Sequence, residues 1–517
     1  MPDETVIILD FGSQYNQLIA RKVRQASVFC QILPYYASAK KIKELKPKGI
    51  IFTGGPASVY TKGAPLPDSA VFQCGIPILG ICYGLQVMGR MPKGEVLPSK
   101  KREYGKALIE ILEPEDPLFQ SVNLKDKTLS VWMSHGDALA KLPQGFHVLA
   151  RTDHSPFAAI KNPQQGFYGV QFHPEVAHTL QGEKILHNFL YEICHYQGSW
   201  TTKNFVEESI KKIREQVGDK RVVLGLSGGV DSSVTAALIS RAIGTRLSCI
   251  FVNNGFLREG EVEQVKKTFG EIFKVDLHIV DARRRFSKRL QKVTSPEQKR
   301  KIIGREFISV FEQESKKMKN ACFLAQGTLY PDVIESQSSF GGPSAVIKSH
   351  HNVGGLPKKM SLKLIEPLRE LFKDEARQVG RELGLPDEMV GRHPFPGPGL
   401  AIRVLGAVTE KKLDILRSAD SLFIEEIRGS GEYDKIWQAF AVLLPVRTVG
   451  VMGDERTYEY VIALRAVTSA DGMTADWARI PGEVLERISN RIINEVKGVN
   501  RVVYDISSKP PATIEWE

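Results

Sequence analysis

The sequence lacks several features that would place it in familiar protein classes. Among its 517 residues no uninterrupted apolar run approaches the length that spans a membrane. The first residues, Met1 to Glu4, are acidic and do not form the basic and apolar pattern of a secretory signal. Six cysteines are scattered through the chain without a CxxC pair, which argues against a disulfide framework and against a zinc site. We therefore expect a cytoplasmic location and cysteines that are mostly small buried residues.

Aromatic residues are sparse where positive charge is densest. The net charge of +11 permits nucleic-acid binding, but it equally suits an enzyme whose substrates carry phosphates. The densest basic run extends from Arg283 to Arg305, and Phe286 is its one aromatic residue. A single-strand binder needs a stacking platform, which this run does not supply. We predict that most of its side chains lie on a solvated helix face, and we leave open that one or two hold a nucleotide phosphate.

Strands and helices alternate through the first two thirds of the chain. Buried runs predict strands at Val6–Leu9, Gly49–Phe52 and Ile76–Ile81, and later at Val222–Leu226, Leu247–Val252 and Leu277–Val280. Amphipathic segments between them predict helices, so the fold class is α/β with two doubly wound, mostly parallel sheets. Catalytic groups in such folds lie at the carboxyl ends of the strands.

A glycine turn follows the strand at Val222–Leu226 and precedes a helical pattern. Its sequence, Ser-Gly-Gly-Val-Asp-Ser-Ser, is neither the Walker pattern nor a dinucleotide-binding GxGxxG. Adjacent glycines let backbone amides approach a ligand, and a helix start attracts anions. Asp231 would repel a bare phosphate but suits a magnesium ion carried on a polyphosphate. From spacing alone, a phosphate site and an ordinary α/β turn remain equal alternatives.

As they stand, these residues resemble the pyrophosphate loop of the ATP pyrophosphatases, which cleave ATP between its α- and β-phosphates to adenylate a substrate. The resemblance implies ATP as a co-substrate and Mg²⁺ as the cofactor, with Asp231 as the metal ligand. The residues that it assigns to ATP are Ser227, Gly228, Gly229, Val230, Asp231, Ser232 and Ser233.

A second candidate site centres on Cys82. Glycines two residues before and after it allow the sharp strand-to-helix turn that presents a nucleophile, although a buried structural cysteine between two small residues has the same local sequence. His173 could take the thiol proton, and Glu175 could orient the imidazole. Because Pro92 follows soon after Cys82, we expect the helix that starts there to be short.

The segments Gly80–Gly84 and Gly169–Glu175 together resemble the class I glutamine amidotransferases. The resemblance implies that Cys82 is the nucleophile, His173 the general base and later acid, and Glu175 the orienting carboxylate. It also implies an oxyanion hole and a glutamine pocket, formed by Gly55, Tyr83, Gln86, Ser134, His135 and Gly136. His135 has a competing assignment as the base, and the glutamate near His173 favours His173.

Further segments resemble the GMP synthetase family over nearly the whole chain. They include Ala325–Ser336, Lys348–Leu356, His393–Gly399 and Lys509–Glu517. The resemblance implies glutamine-dependent amination of xanthosine monophosphate (XMP) to GMP, with release of AMP and pyrophosphate. The residues that it assigns to XMP are Arg300, Lys509, Ile514 and Glu515.

The same resemblance sets the expected domain order. We expect an amidotransferase domain at residues 1–200, an ATP pyrophosphatase domain at 201–386, and a small α+β dimerisation domain at 387–517, in a homodimer. Two departures from the family pattern are Asn253, in place of a carboxylate near the ATP site, and Lys358, in place of an acidic residue.

Two other function classes remain. A related ATP pyrophosphatase, such as an NAD synthetase or a tRNA-modifying enzyme, would share the glycine turn but use another acceptor. A nucleic-acid-binding protein without enzymatic activity would bind RNA in a salt-sensitive way and release no pyrophosphate.

Overall fold

The computed structural model describes residues 4–318, 320–337, 362–452, 455–469, 472 and 474–517. Within these ranges no helix is both long and apolar enough to cross a membrane. The expected loop Lys348–Leu356 and the departure at Lys358 lie outside the described residues. The chain divides into two compact units, Met1–Phe205 and Val206–Glu517.

The first unit is built on one mixed sheet. Its strands are β1 (Thr5–Asp10), β2 (Phe29–Pro34), β3 (Gly49–Phe52), β4 (Ile78–Ile81), β5 (Glu95–Ile111), β6 (Thr128–Lys141), β7 (His147–Arg151), β8 (Ala159–Asn162) and β9 (Phe167–Val170). Their order is β2-β1-β3-β4-β9-β8-β7-β5-β6. Neighbours from β2 to β9 run parallel, and the pairs beyond β9 are antiparallel.

Helices cover the parallel half of this sheet, which explains why its strands are apolar on both faces. They are α1 (Asn16–Gln25), α2 (Ala39–Glu44), α3 (Tyr83–Met88) and α4 (Gly182–Asn188), and α4 continues as a π-helix over Phe189–Ile193. Short 3₁₀ turns occupy Ser69–Gln73 and Pro117–Phe119. The division between the units falls inside α5 (Thr202–Val217).

The second unit begins with a parallel sheet. Its described strands are β10 (Arg221–Leu226), β11 (Leu247–Asn253), β12 (Asp276–Asp281), β13 (Ala321–Ala325) and β14 (Lys363–Ile365), in the order β12-β11-β10-β13-β14. The accompanying helices are α6 (Val230–Ile243), α7 (Glu261–Val265), α8 (Arg283–Arg289), α9 (Pro296–Ser315), α10 (Tyr330–Gln337) and α11 (Lys373–Glu382), with a π-helix at Lys266–Ile272. The strand order reverses at β10, and a reversal of this kind places ligands at the carboxyl ends of the strands.

A smaller α+β arrangement follows. It contains α12 (Asp387–Val390), α13 (Glu410–Gly429), β15 (Gln438–Met452), β16 (Glu455–Thr468), β17 (Asp476–Trp477), α14 (Gly482–Glu495) and β18 (Val499–Tyr504). β16 pairs antiparallel with β15 and β17 and parallel with β18. Buried residues from both sheets of this unit, such as Val223 and Ile462, belong to one apolar cluster.

The α/β fold class predicted from the sequence is confirmed. Both large sheets have a parallel arrangement at the centre, and an α+β segment ends the chain. The boundaries at residues 200 and 386 stay predictions.

Candidate active sites

Cys82 stands at a strained turn between β4 and α3. Its backbone has φ 51° and ψ −101°, and its amide donates to the Val170 carbonyl of β9 at 2.8 Å. A side chain on Gly80 would meet the Gly84 backbone at 2.6 Å, and one on Gly84 would meet the Phe52 carbonyl oxygen at 2.6 Å. Only glycines fit at positions 80 and 84, so the local sequence specifies a nucleophile elbow at Cys82. The helix that follows has six residues, as expected.

His173 and Glu175 follow β9, the strand beside β4. His173 Nδ1 lies 2.8 Å from Glu175 Oε1, and the side chains are 5% and 0% exposed. Burial alone would lower the pKa of His173, but hydrogen bonds to Cys82 and Glu175 raise it to about 10. The structure thus brings together the three residues that the sequence predicted as a triad.

His135, the competing base, has different partners. Its Nδ1 lies 3.1 Å from the Asp137 carbonyl oxygen, and its Nε2 lies 3.2 Å from Glu103 Oε2. Both ring nitrogens therefore face acceptors other than the Cys82 thiol. This arrangement favours His173 as the base.

The predicted oxyanion hole is assembled from two turns. The Thr53 hydroxyl accepts the Phe11 amide at 3.0 Å and donates to the Gly54 carbonyl at 2.9 Å. A side chain on Gly55 would meet the Phe11 carbonyl oxygen at 2.7 Å, so the turn must be glycine here. Tyr83 is the first residue of α3, and its amide has no acceptor within the helix. Such amides can stabilise a developing oxyanion.

The predicted glutamine-binding residues line the same region. The Ser134 carbonyl oxygen lies 3.7 Å from Cys82 Sγ, and Gln86 Nε2 donates to the Asp137 carbonyl at 3.0 Å. A β-carbon added to Gly136 would make ordinary van der Waals contacts, with the Tyr104 hydroxyl at 3.6 Å and Arg102 Nε at 3.8 Å. Gln86 therefore connects the nucleophile helix to the Ser134–Asp137 segment.

The glycine turn after β10 forms a loop that its own hydroxyl groups stabilise. Ser232 Oγ accepts the Ser227 amide at 3.2 Å and donates to the Gly229 carbonyl at 3.1 Å. Gly228 has φ 75°, a conformation that favours glycine. Gly229 is the N-cap of the fourteen-residue helix α6. This is the strand, turn and helix start that the sequence predicted, with the amides of the first turn free of intrahelical acceptors.

Two polar side-chain atoms of α6 are buried without a hydrogen-bond partner among the described residues. They are Asp231 Oδ1 and Ser233 Oγ. Burial raises the pKa of Asp231, while the nearby charges of Lys373 and Arg377 act in the opposite direction. A buried carboxylate oxygen with no partner costs free energy unless a cation or donor is bound there. The observation fits a metal-bound polyphosphate.

Sequence reasoning missed a buried ion pair behind this loop. Arg392 Nη1 donates to the Gly228 carbonyl at 3.0 Å and to Glu261 Oε1 at 2.6 Å. The Phe395 ring lies 5.0–5.2 Å from the guanidinium carbons of Arg258, Arg392 and Arg403. The signal was present, since Arg392 directly precedes the His393–Gly399 segment, but its partners lie more than 100 residues away.

The residues predicted to bind XMP lie around the last segment of the chain. Arg300 contacts the Glu517 main-chain oxygen, and Glu515 Oε1 accepts from Arg403 at 2.9 Å. Ile514 is 8% exposed and packs in an apolar cluster that includes Ala475. Lys509 pairs with Ala475 through the backbone, and its Nζ donates to the Gly472 carbonyl at 2.7 Å.

The basic run near this segment is only partly a solvated face. Most of its cations are exposed, but Lys299 is fully buried and donates to Glu517 Oε2 at 2.6 Å and to the Val404 carbonyl at 2.7 Å. The expectation of a solvated face for most of these side chains is confirmed, and Lys299 is an exception. Its burial is determined by packing against residues near Val404, which the local sequence does not reveal.

Comparisons with known proteins identify the family of this chain. Family models match at residues 7–193 (glutamine amidotransferase class-I), 202–305 (NAD synthase) and 425–516 (GMP synthase C terminal domain). A GMP synthase [glutamine-hydrolyzing] of Carboxydothermus hydrogenoformans is 59% identical over 512 residues, which cover 99% of each chain. The chain belongs to the glutamine-hydrolysing GMP synthase family.

Other members of the GMP synthase family give the same result. The Brachyspira hyodysenteriae protein is 59% identical, with 99% of each chain covered. The Synechocystis protein is 56% identical, with 99% of this chain and 95% of its own covered. The chain is therefore an enzyme, a ligase of GMP biosynthesis with a glutamine amidotransferase part and an ATP-using part.

The expected departure at Asn253 lies inside the described residues. Asn253 Oδ1 accepts the Gly255 amide at 3.0 Å, and Asn254 Oδ1 accepts the Phe256 amide at 2.9 Å. These two hydrogen bonds stabilise the turn after β11, and the side chain of an aspartate at position 253 could accept the same bond as Asn253. Compared with the expected aspartate, asparagine at position 253 would lack a charge but keep the turn.

Proposed function

We propose that this chain makes GMP from XMP, ATP and glutamine by two coupled half-reactions. In the first, the glutamine carboxamide is hydrolysed to glutamate and ammonia. In the second, XMP O2 attacks the α-phosphate of ATP, pyrophosphate leaves, and ammonia then displaces AMP from C2. Family membership supports the overall reaction, and the contacts described above support the following assignment of residues.

Hydrolysis of glutamine is assigned to Cys82, His173 and Glu175. His173 takes the Cys82 proton, the sulfur attacks the carboxamide carbon, and the proton passes to the leaving ammonia. The pKa of about 10 means that the imidazole, once it has taken the thiol proton, keeps that proton until the leaving ammonia accepts it. Amides of Gly55 and Tyr83 stabilise the oxyanion. Water then cleaves the thioester to give glutamate.

Adenylation is assigned to the loop Ser227–Ser233. Its amides and hydroxyls bind the ATP phosphates at the start of α6. Asp231 is the residue that would hold Mg²⁺, together with phosphate oxygens, because a cation would satisfy its buried and unpartnered Oδ1. Bound Mg²⁺ would neutralise charge on the polyphosphate.

The XMP site is assigned to Arg300, Lys509, Ile514 and Glu515. The two cations can neutralise a phosphate, Glu515 can accept from purine N–H or ribose hydroxyl groups, and Ile514 packs. Arg403 and Gln438 hold the Glu515 carboxylate, at 2.9 Å and 2.8 Å from Oε1.

The finer organisation belongs to the same proposal. We place the domain limits at 1–200, 201–386 and 387–517, the enzyme in the cytoplasm, and two copies in a homodimer. An exposed apolar face of the β15–β16 hairpin supports the homodimer. Val449 and Tyr458 are directly paired there and are 59% and 62% exposed, with Val451 at 73% beside them.

The main support for the proposal is the elbow geometry of Cys82, which lies beside the buried His173–Glu175 pair. The same chain also contains the predicted ATP loop. The test is release of AMP and pyrophosphate from ATP with Mg²⁺, with and without XMP. XMP-dependent release with GMP formed is expected. Release without XMP dependence would exclude XMP as the acceptor.

A further inference from the structure

The Ser134–Asp137 segment contacts Glu103 of β5 through the His135 side chain. β5 and β6 pair antiparallel, with Glu103 directly opposite His135. Glu103 Oε2 lies 3.2 Å from His135 Nε2, an ion-pair distance at an angle that is poor for a hydrogen bond. The other carboxylate oxygen, Oε1, accepts from the Thr152 hydroxyl at 2.9 Å. Thr152 therefore fixes the direction in which the carboxylate faces the imidazole.

The contact is almost closed to water. The Glu103 side chain is 9% exposed and the His135 side chain 2%. Burial alone would raise the pKa of Glu103, but the contacts with His135 and Thr152 hold it below its usual range, so the carboxylate is charged at neutral pH. A buried carboxylate is costly without polar neighbours, so its contact with the imidazole constrains where both side chains lie.

The imidazole transmits this constraint to the site. His135 Nδ1 lies 3.1 Å from the Asp137 carbonyl oxygen, the same oxygen that accepts from Gln86 Nε2. The Ser134 carbonyl, one residue before His135, lies 3.7 Å from Cys82 Sγ. If the ring moves, both carbonyl groups move with it. A misplacement of about 1 Å can cost a reaction up to ~100-fold.

We propose that Glu103 is a positioning residue for the glutamine substrate, acting through His135 on the Ser134–Asp137 wall of the pocket. It takes no part in proton transfer at Cys82. The inference rests on the proposed hydrolysis of glutamine at Cys82, and its test separates the two ideas.

The variant is Glu103→Gln in the full chain. Glutamine at this position keeps the size of the side chain and can still accept from Thr152, but it has no charge for His135. The KM for glutamine is expected to rise about tenfold, as for a displacement of the pocket residues by a fraction of an ångström, with a smaller change in kcat. GMP formation from ammonium by the same preparation should be unchanged, because it bypasses the pocket.

Glu110→Gln is the matched control. Glu110 lies on the same strand, and its carboxylate forms an exposed ion pair with Arg151 Nε at 2.8 Å. Exposed pairs contribute little, so the KM for glutamine should not change. Glu103→Asp keeps the charge and should recover part of the lost affinity.

Three results would overturn the positioning role. They are an unchanged KM for glutamine in Glu103→Gln, an equal loss of ammonium-dependent synthesis, and a similar rise in KM in Glu110→Gln. The proposed function fails differently, because then the unaltered protein would form no GMP from either nitrogen donor.

Discussion

His173 Nδ1 lies 2.8 Å from Glu175 Oε1, and neither side chain is more than 5% exposed. A carboxylate at this position accepts a hydrogen bond from Nδ1–H and so directs the other ring nitrogen toward the thiol. The hydrogen bonds of His173 to Cys82 and Glu175 outweigh burial and raise its pKa to about 10. The pair therefore fixes both the orientation and the protonation of the imidazole.

Replacing Glu175 by glutamine should separate the two nitrogen donors. We expect kcat/KM for glutamine to fall by about 10²- to 10⁴-fold, because the imidazole loses its orienting charge. Synthesis from ammonium should remain. The measurement is GMP formation with each donor. Glu183→Gln, which alters an exposed pair with Lys22, is the control. Equal rates for Glu175→Gln and the unaltered protein would contradict the assigned role of Glu175.

Replacing Gly327 by alanine should abolish adenylation. The added carbon would lie 2.9 Å from the Asp231 carbonyl group, so the first turn of α6 would have to move. Pyrophosphate release should then fall with glutamine and with ammonium alike. Gly304→Ala in α9 meets nothing within 4 Å and should behave normally, with a helix more stable by about 0.5–1 kcal/mol. Normal pyrophosphate release by Gly327→Ala would show that this turn does not bind ATP.

Glu515→Gln should weaken XMP binding selectively. The substitution keeps the bond to Gln438 within reach but removes the charge that faces Arg403, so we expect the KM for XMP to rise about tenfold. The KM for ATP should stay the same. Steady-state kinetics with each substrate varied provides the measurement, with Glu495→Gln, which alters an exposed pair with Arg491, as control. A change in KM for ATP alone would place Glu515 outside the XMP site.

Acidification should destabilise the second unit through His393. Burial lowers the pKa of His393 to about 4, despite a hydrogen bond to the Tyr433 carbonyl, whereas the unfolded value is about 6.5. Between these two pKa values the unfolded chain binds more protons than the folded chain, so the free energy of unfolding rises with pH. The stability contributed by neutral His393 is therefore lost as pH falls from about 6.5 toward 4.

Urea unfolding at pH 7, 6 and 5 measures this effect. The contribution of one such histidine is at most about 1.4 kcal/mol per pH unit. His393→Gln should reduce the pH slope, while His147→Gln at an exposed position should not. Identical slopes for His393→Gln and the unaltered protein would mean that His393 is not the group responsible.

The sequence predicted the parts of the sites that depend on local chemistry. The elbow at Cys82 follows from glycines at positions where a side chain cannot fit, and the loop at Ser227–Ser233 contains Gly228, whose φ of 75° favours glycine. The expected strand, turn and helix start are present at both. The early end of α3 likewise followed from a nearby proline. Local patterns are sufficient where the backbone conformation itself determines the residue type.

The rest depends on contacts between distant residues. Glu103 contacts His135 because β5 and β6 pair in one particular register. The sequence of either strand alone does not determine that register. Lys299 is buried against Val404 and Glu517, which lie 105 and 218 positions further along the chain. The pairing of β4 with β9, which brings Cys82 to His173, spans four intervening strands. Here the family resemblance supplied what periodicity could not.

The most direct test of the two-site assignment is GMP formation by Cys82→Ala with glutamine and with ammonium. We predict no synthesis from glutamine and unchanged synthesis from ammonium, because the thiol serves only to release ammonia while the ATP loop activates XMP. Synthesis from glutamine by a folded Cys82→Ala protein would contradict the assignment. So would loss of the ammonium-dependent reaction, since the two sites would then not be separable.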